Sequence, residues 1–206
     1  MRVLLKENLI VLIPEEPEEA QALEQWKGSH CDHVMRIRDT KTASVELHDL
    51  GEAQEAFREP INVVSDSPDP VARMISNFAT APFELDGQRY RSVESFWQGL
   101  KFSDEDDRRR LAGLDGPSAR REGEKQGYGP TISYRGEEIA VGTWAHWSLM
   151  ERACRAKFEQ NAEARDALFA TRNRPLTHVV RRDSRTIPGV IIADIWMRIR
   201  RHMLRQ

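Results

Sequence analysis

Apolar residues recur at helical spacing through much of the chain after residue 60. Between residues 143 and 160, Trp147, Met150 and Phe158 fall on one face of a helix, because the intervals between them are close to whole helical turns. The same spacing predicts further helices over residues 92–101, 108–112, 118–125, 162–170 and 188–204. This part of the chain is therefore predicted to be predominantly helical.

A short hairpin interrupts the helical pattern. Residues 83–85 and 88–90 are strand-like runs that flank Asp86 and Gly87. An Asp-Gly pair between two such runs is a strong local signal for a hairpin, because both residues tolerate the positive φ angles of a tight turn. The predicted fold class is accordingly α+β, with a mainly helical domain that contains a small hairpin.

The first 59 residues follow a different pattern. An apolar run at 9–13 predicts a buried strand, and the proline and glutamates after it predict a helix over residues 17–26. Short strands are predicted over residues 34–38 and 45–48. Pro60 and the loop-like segment that follows indicate a boundary, so we expect a small α+β unit over 1–59 and a second domain over 60–206.

Composition narrows the class of protein. The chain has 206 residues, of which 39% are hydrophobic and 31% charged, values typical of a soluble globular protein. Cys31 and Cys154 are too far apart for a disulfide framework or a zinc-site spacing. The apolar run at 9–13 is too short to span a bilayer. We therefore expect a cytoplasmic protein that has no membrane partner.

Charge is distributed unevenly along the chain. Residues 1–59 contain 7 basic and 13 acidic residues, whereas residues 60–206 contain 24 and 20. Nine arginines and two aspartates fall between residues 172 and 206, and such a stretch is able to contact phosphates. Two interpretations stay open, a nucleic-acid contact and the solvated face of the last predicted helix.

Three polar residues share one face of the helix that Ser92 is expected to cap. Glu94, Gln98 and Lys101 stand at i, i+4 and i+7, and we call this set the polar stripe. On spacing alone, a solvated surface stripe with a weak ion pair is the favoured interpretation. A carboxylate, an amide and an amine on one face are also the groups that a catalytic pocket needs.

Several segments read together resemble the NADAR family, a fold associated with NAD and ADP-ribose. They are residues 61–65, the Ser-Asn-Phe turn within 75–79, the hairpin, the S-x-E-x-x-x-Q-x-x-K-F helix of 92–102, and residues 155–161. The family includes N-glycosidases of riboflavin-pathway intermediates and hydrolases that remove ADP-ribose from guanine. The resemblance covers about residues 60–206.

The resemblance implies catalytic roles for two members of the polar stripe. Cleavage of an N-glycosidic bond passes through an oxocarbenium-like state. A carboxylate stabilises the positive charge of this state, activates the attacking water, or does both. Glu94 matches the family's acidic residue and is expected to act in this way. Lys101 matches the motif's lysine, which is either a nucleophile that forms a Schiff base with the opened sugar or a phosphate contact. Of these two roles we favour the nucleophile.

The resemblance also implies a set of substrate-binding residues. Trp144 is the expected stacking platform for a ring, since Trp147 stands in register with the predicted helix core. Asn77 is expected to bind ribose hydroxyls or a phosphate, with a purely structural Asx turn as the alternative. The predicted binding residues are Asn77, Phe78, Gln98, Trp144, Asp183 and Arg185, with solvated loop charges as the alternative for Asp183 and Arg185.

The end of the chain departs from the family pattern. Many members carry a Trp-Gly pair and an Asn-x-Leu-Gly stretch, whereas this chain reads Asp-Ser-Arg-Thr-Ile-Pro-Gly over 183–189. The departure leaves the choice of substrate open and keeps a non-catalytic module that binds ADP-ribose or another NAD-derived nucleotide as an alternative.

The preferred interpretation is an N-glycoside hydrolase that acts on an ADP-ribosyl or ribosyl-phosphate amine. The expected partner is a small nucleotide or an ADP-ribosylated substrate, with ADP-ribosylated nucleic acid as a further possibility. No metal or other cofactor is expected. His30, Cys31, Asp32 and His33 are metal-capable, but neighbouring residues cannot all point at one ion.

Overall fold

The computed structural model describes residues 1–6, 9–30, 33–39, 45–52, 60–181, 184 and 186–205. The chain divides into two compact units, Met1–Arg58 and Glu59–Gln206. That these units are separate domains stays a prediction. In the described part of the chain, no helix is long and apolar enough to cross a membrane.

The first unit combines two strand pairs with one helix. Strand β1 (Arg2–Lys6) pairs antiparallel with β2 (Leu9–Ile13), and helix α1 (Pro17–His30) follows. Strand β3 (His33–Asp39) then pairs antiparallel with β4 (Val45–Glu52). The predicted helix and strands are present, although α1 extends beyond residue 26 and β1 was not expected.

Burial in the first unit is lower than its sequence pattern indicates. Val11, Leu12 and Ile13 are half-buried where a buried strand is predicted. Helix α1 has no buried residue, because its sequence offers few apolar side chains on any face. Cys31 and Asp32, from the metal-capable run, lie outside the described residues.

The second unit contains most of the helices. Its elements, in chain order, are β5 (Ile61–Asn62), α2 (Pro70–Ile75), β6 (Phe83–Leu85), β7 (Gln88–Tyr90), α3 (Val93–Gly99), α4 (Glu105–Ala112), α5 (Gly116–Glu124), β8 (Thr131–Tyr134), β9 (Glu137–Ala140), α6 (Trp144–Gln160), α7 (Ala162–Ala170), β10 (Leu176–Thr177) and α8 (Gly189–Met203). This arrangement confirms the predicted α+β fold class.

Capping residues determine where several helices begin. Ser92 Oγ accepts a hydrogen bond from Ser95 N at 3.0 Å, and Ser92 N donates to Ser95 Oγ at 3.2 Å, so Ser92 caps α3 as predicted. Asp104 and Asp115 cap α4 and α5 through their carboxylates. Both caps lie ahead of the apolar residues on which the predicted helices were based. The two helices therefore begin earlier than the apolar spacing predicts.

Turn chemistry explains both hairpins of the second unit. Asp86 and Gly87 have φ values of 52° and 81°, which confirms the predicted turn between β6 and β7. Arg135 and Gly136 adopt nearly the same angles, 53° and 81°, between β8 and β9. This second hairpin was not predicted, since arginine is an uncommon residue at positive φ.

The core surrounds helix α3, whose seven residues are all buried. Phe96 makes edge-to-face contacts with Tyr90 at 5.2 Å and with Tyr134 at 5.9 Å, so both hairpins pack against the helix. Trp196 of α8 is 1% exposed in the same core. The solvated-stripe interpretation is therefore wrong for Glu94 and Gln98.

Helix α5 approaches the Ser-Asn-Phe turn closely because its first residue is Gly116. A Cβ atom at this position would lie 2.5 Å from the Phe78 carbonyl oxygen and 2.6 Å from its Cα. Both neighbours are backbone atoms, so neither is able to rotate away. The close approach sets the position of α5 against the turn.

We expect Gly116→Ala to destabilise the protein by about 1–3 kcal/mol, as overpacking in a filled interior does. The matched control is Gly127→Ala, where a Cβ would meet nothing within 4 Å. Urea unfolding of both variants measures the difference. Equal stability of the two variants would contradict the close approach.

Candidate active site

A pocket of about 930 Å³ opens in the second unit beside helix α3. Its walls come from the 64–66 segment, the 76–78 turn, helices α3, α5 and α6, residues 178–181, Ser184, Ile187 and Ile192. Polar residues from distant parts of the sequence line this pocket, namely Ser65, Asp66, Ser76, Asn77, Glu94, Arg120, His178, Arg181 and Ser184.

Glu94 is the buried carboxylate of the pocket, with 4% of the residue exposed. Its Oε1 accepts a hydrogen bond from Gln98 Nε2 at 2.6 Å and lies 3.7 Å from a terminal nitrogen of Arg120. Burial raises the pKa of Glu94, while Gln98, Arg120 and Lys101 act in the opposite direction by favouring the charged form. A buried carboxylate with a raised pKa is suited to proton transfer near neutral pH.

Gln98 is 1% exposed and supports the carboxylate directly. A Cβ at Gly123 would lie 2.0 Å from Gln98 Oε1, so glycine at this position makes room for the amide. The amide oxygen has no hydrogen-bond partner among the described residues. Gln98 does not line the pocket, so it reaches the site only through its hydrogen bond to Glu94.

Asn77 and Phe78 line the pocket, as the resemblance implies. The Asn77 side-chain amide forms hydrogen bonds with two sulfur atoms. Its Nδ2 donates to Met150 Sδ at 3.4 Å, and its Oδ1 accepts from Cys154 Sγ at 3.6 Å. Its backbone carbonyl accepts a hydrogen bond from Glu94 N at 2.9 Å. The turn and the start of α3 are thereby joined.

Lys157 binds the backbone where α2 ends and the same turn begins. The sequence did not identify it as a site residue. The residue is fully buried, and Nζ donates to the carbonyls of Met74, Ile75 and Ser76 at 2.7, 3.0 and 2.8 Å. Burial lowers the pKa of Lys157 to about 7, but three carbonyl acceptors require three N–H donors and so favour the ammonium form. The lysine thus caps α2 and fixes the turn.

Lys101 does not belong to the pocket wall. Its Nζ donates to the Gly123 carbonyl at 2.7 Å and lies 5.2 Å from the centre of the Tyr128 ring. The side chain is half-buried, and this burial lowers its pKa, as does the charge of Arg120. The structure uses Lys101 to link the end of α3 to α5.

Trp144 also lies away from the pocket wall, at the start of α6, and is 62% exposed. Its ring packs edge-on against Trp147 at 5.7 Å. The aromatic residue that does line the pocket is Trp97, which stacks on His146 at 4.4 Å. The structure therefore does not bring the predicted stacking platform together with Glu94.

Asp183 and Arg185 lie outside the described residues, so their predicted roles stay predictions. Nearby, Ser184 and Arg181 line the pocket. Ser184 Oγ accepts hydrogen bonds from the backbone of Thr186 and Ile187, at 3.2 and 3.3 Å. This turn leads the chain into α8.

The arginine-rich end does not lie wholly on a free surface. Arg200 is 4% exposed and donates to Thr171 Oγ1 at 2.6 Å and to the Arg174 carbonyl at 2.9 Å. Arg198 pairs with Asp194 and Glu151. These arginines serve the packing of α8, while Arg181 belongs to the pocket.

The described residues contain no group of three histidine, cysteine or carboxylate side chains close enough to hold a metal ion.

The second unit carries the similarity to known proteins. The family model described as Bacteriophage protein GP30.3 matches residues 70–194. The chain belongs to this family. It is of the NADAR type, so the predicted resemblance is confirmed. The matched range contains every described side chain that contacts Glu94.

Individual NADAR relatives agree with this assignment. The "Uncharacterized 17.1 kDa protein in Gp30-rIII intergenic region" of Enterobacteria phage T4 is 31% identical over 109 residues, which cover 52% of this chain and 72% of that protein. N-glycosidase YbiA of Escherichia coli K12 is 32% identical over 101 residues, or 47% of this chain. The match spans 56% of the length of YbiA.

The NADAR fold is seen in a solved structure. The NMR structure of E. coli YbiA matches with a TM-score of 0.54 and 25% identity, covering 74% of this chain and 90% of that one. The family therefore includes proteins named as N-glycosidases, and the likeness extends to the tertiary structure.

Sequence reasoning missed most of the polar groups around Glu94. Arg120 and His178 belong to no motif that relates them to the carboxylate, and no spacing along the chain could have found them. Arg181 lies within the basic segment, and Lys157 within a segment of the family resemblance, so a weak signal existed for each.

We expect protein stability to fall between pH 6.5 and 4 because of His146. Burial lowers the pKa of this histidine to about 4, whereas in the unfolded chain it titrates near its ordinary value of about 6.5. In that window the unfolded state binds a proton that the folded state does not, so lower pH favours unfolding.

Urea unfolding at several pH values tests this expectation. His146→Gln should lose stability less steeply than the wild type as pH falls, whatever its stability at pH 7. An unchanged slope for His146→Gln would show that other groups carry the pH dependence.

Proposed function

We propose that this chain hydrolyses the N-glycosidic bond of an ADP-ribosyl or ribosyl-phosphate amine, for example ADP-ribosylated guanine or a riboflavin-pathway intermediate. The observation that carries the proposal is the Glu94 carboxylate, buried in the wall of a large pocket and hydrogen-bonded to Gln98. Membership of a family that includes N-glycosidase YbiA supports it.

In this reaction Glu94 faces the developing charge at the anomeric carbon. As the bond breaks, its electron pair leaves with the nitrogen, and the carboxylate stabilises the positive charge on the sugar. Water then adds to the anomeric carbon and gives a proton to Glu94, which passes this proton to the departing nitrogen and returns to the carboxylate form. Burial raises the pKa of Glu94 and makes it a better base for this step.

Two arginines support an anionic substrate. Arg120 is half-exposed, lies 3.7 Å from Glu94 Oε1 and lines the pocket together with Arg181. Guanidinium groups bind phosphate oxygens in a bidentate manner. A sugar beside Glu94 with its phosphate toward these arginines would therefore be matched in charge at both ends.

The position of Lys101 favours direct attack by water over a Schiff base. Its Nζ donates to the Gly123 carbonyl at 2.7 Å, so nucleophilic attack would require this bond to break and the side chain to turn toward the pocket. Glu94 needs no such rearrangement. We therefore propose Glu94 as the catalytic residue and Lys101 as a positioning residue.

We expect Glu94→Gln to lower kcat by about 10²- to 10⁴-fold, as loss of a positioned acid or base does, while binding of ADP-ribose persists. The variant keeps the side-chain volume and loses the charge. Mass spectrometry of ribosyl products, from a panel of ADP-ribosylated guanosine, ADP-ribosyl proteins, NAD and riboflavin-pathway ribosylamines, measures turnover.

The matched control is Glu84→Gln, an exposed carboxylate on β6, which should keep the wild-type rate. Wild-type turnover by Glu94→Gln would contradict the catalytic assignment. A wild-type protein that binds ADP-ribose but releases product from no member of the panel would be the non-catalytic binding module instead.

We expect borohydride added during turnover to leave no covalent adduct on Lys101. Water is the proposed nucleophile, so no imine forms for borohydride to reduce. Intact-mass measurement followed by peptide mapping detects an adduct, with Lys157 as the internal comparison. A ribosyl adduct on Lys101 would instead establish the Schiff-base route.

A further inference from the structure

The hydroxyl of Ser76 is a buried polar group left unpaired in the pocket wall. Ser76 is 3% exposed and lines the pocket, and its Oγ has no hydrogen-bond partner among the described residues. A buried hydroxyl without a partner costs free energy, and native structures rarely leave one except where a ligand or another function requires it. This hydroxyl therefore indicates a missing partner in the pocket.

The backbone of Ser76, in contrast, is fully used. Its N–H donates to the carbonyls of Ala72 and Arg73, at 3.1 and 3.2 Å. Its carbonyl accepts from Lys157 Nζ at 2.8 Å and from Ala79 N at 3.2 Å. The residue is held rigidly, so the hydroxyl cannot reach a partner by movement of the turn.

The hydroxyl is also tied to the catalytic helix. The next residue, Asn77, accepts a hydrogen bond from Glu94 N at 2.9 Å, so the turn and the start of α3 move together. Ser76 and Glu94 line the same pocket from these joined segments. One substrate in this pocket is therefore able to contact both residues.

Among the polar side chains of the turn, Ser76 is better suited to bind a ligand than Asn77. Both polar atoms of the Asn77 amide already contact sulfur, in Met150 and Cys154. In the proposed function Arg120 and Arg181 bind the phosphate, which leaves the uncharged sugar as the partner for Ser76. A sugar hydroxyl both donates and accepts, as the serine hydroxyl does, and carries no charge.

We propose that Ser76 Oγ binds a hydroxyl group of the substrate's ribose and so positions the sugar beside Glu94. The inference rests on the proposed function for the identity of the sugar. Ser76 is then a binding residue whose unpaired hydroxyl costs stability in the free protein and contributes affinity in the complex.

The test compares Ser76→Ala with Ser67→Ala, a second buried serine in the same part of the chain. Ser67 is 7% exposed, and its Oγ accepts a hydrogen bond from Asp69 N at 3.2 Å, so its hydroxyl already has a partner. Melting temperatures are measured without ligand. Calorimetry then gives the affinities for ADP-ribose, ribose 5-phosphate and inorganic phosphate.

We expect Ser76→Ala to melt at or above the wild-type temperature and to bind ADP-ribose and ribose 5-phosphate about tenfold more weakly, the loss of one hydrogen bond. Its affinity for inorganic phosphate should not change. Ser67→Ala should melt lower than the wild type and keep all three affinities. These opposite effects distinguish a binding role of the hydroxyl from a structural one.

Three results would overturn the inference: a Ser76→Ala melting temperature as low as that of Ser67→Ala, unchanged affinity for ribose 5-phosphate, or a wild type that binds neither sugar. An equal loss of affinity for inorganic phosphate would also overturn it, in favour of a phosphate contact. If Ser76→Ala weakens sugar binding but the wild type hydrolyses no substrate, the inference stands and the proposed function fails.

Discussion

Burial of helix α3 on every side is the constraint on which the pocket depends. A seven-residue helix that carries Glu94 and Gln98 has no solvated face in this fold, so each polar group needs a partner in the interior. Gln98 supplies a hydrogen bond to the carboxylate, and Arg120 supplies a nearby positive charge. The geometry that desolvates Glu94 is therefore also the geometry that raises its pKa.

Glycine residues on α5 make this burial possible. Gly123 leaves space for the Gln98 amide, and Gly116 lets the first turn of α5 contact the backbone of Phe78. Helix α5 thus brings Arg120 to the pocket while it closes one side of α3. A side chain at either glycine would press against the Phe78 backbone or the Gln98 side chain.

A second buried charge, on Lys157, stabilises the turn at residues 76–78 of the pocket wall. The Lys157 ammonium binds the last carbonyls of α2 and the Ser76 carbonyl, where the negative end of a helix favours a cation. Its three hydrogen bonds offset the cost of burying the charge. The Ser-Asn-Phe turn is consequently held by Lys157 on one side and by Glu94 N on the other, which leaves the Ser76 hydroxyl as the group directed to a ligand.

Local interactions account for what the sequence by itself determined. The Ser92 cap, the Asp86-Gly87 turn and the apolar spacing of α6 depend on residues a few positions apart, so their patterns are complete within short segments. The family resemblance added Glu94, Asn77 and Phe78, and the structure brings all of these to one pocket.

Only the tertiary structure decided which polar groups are buried away from water and which polar side chains contact one another. Lys101 belongs to the same motif as Glu94, yet its Nζ binds the Gly123 carbonyl. Trp144 was the predicted stacking platform, yet it lies at the surface. Arg120 reaches the pocket from a segment with no local pattern to relate it to Glu94, and nothing in the Ser-Asn-Phe motif shows that the Ser76 hydroxyl is buried without a partner. Desolvation and charge pairing depend on the packing of distant segments, and that packing is not encoded within any short stretch of the chain.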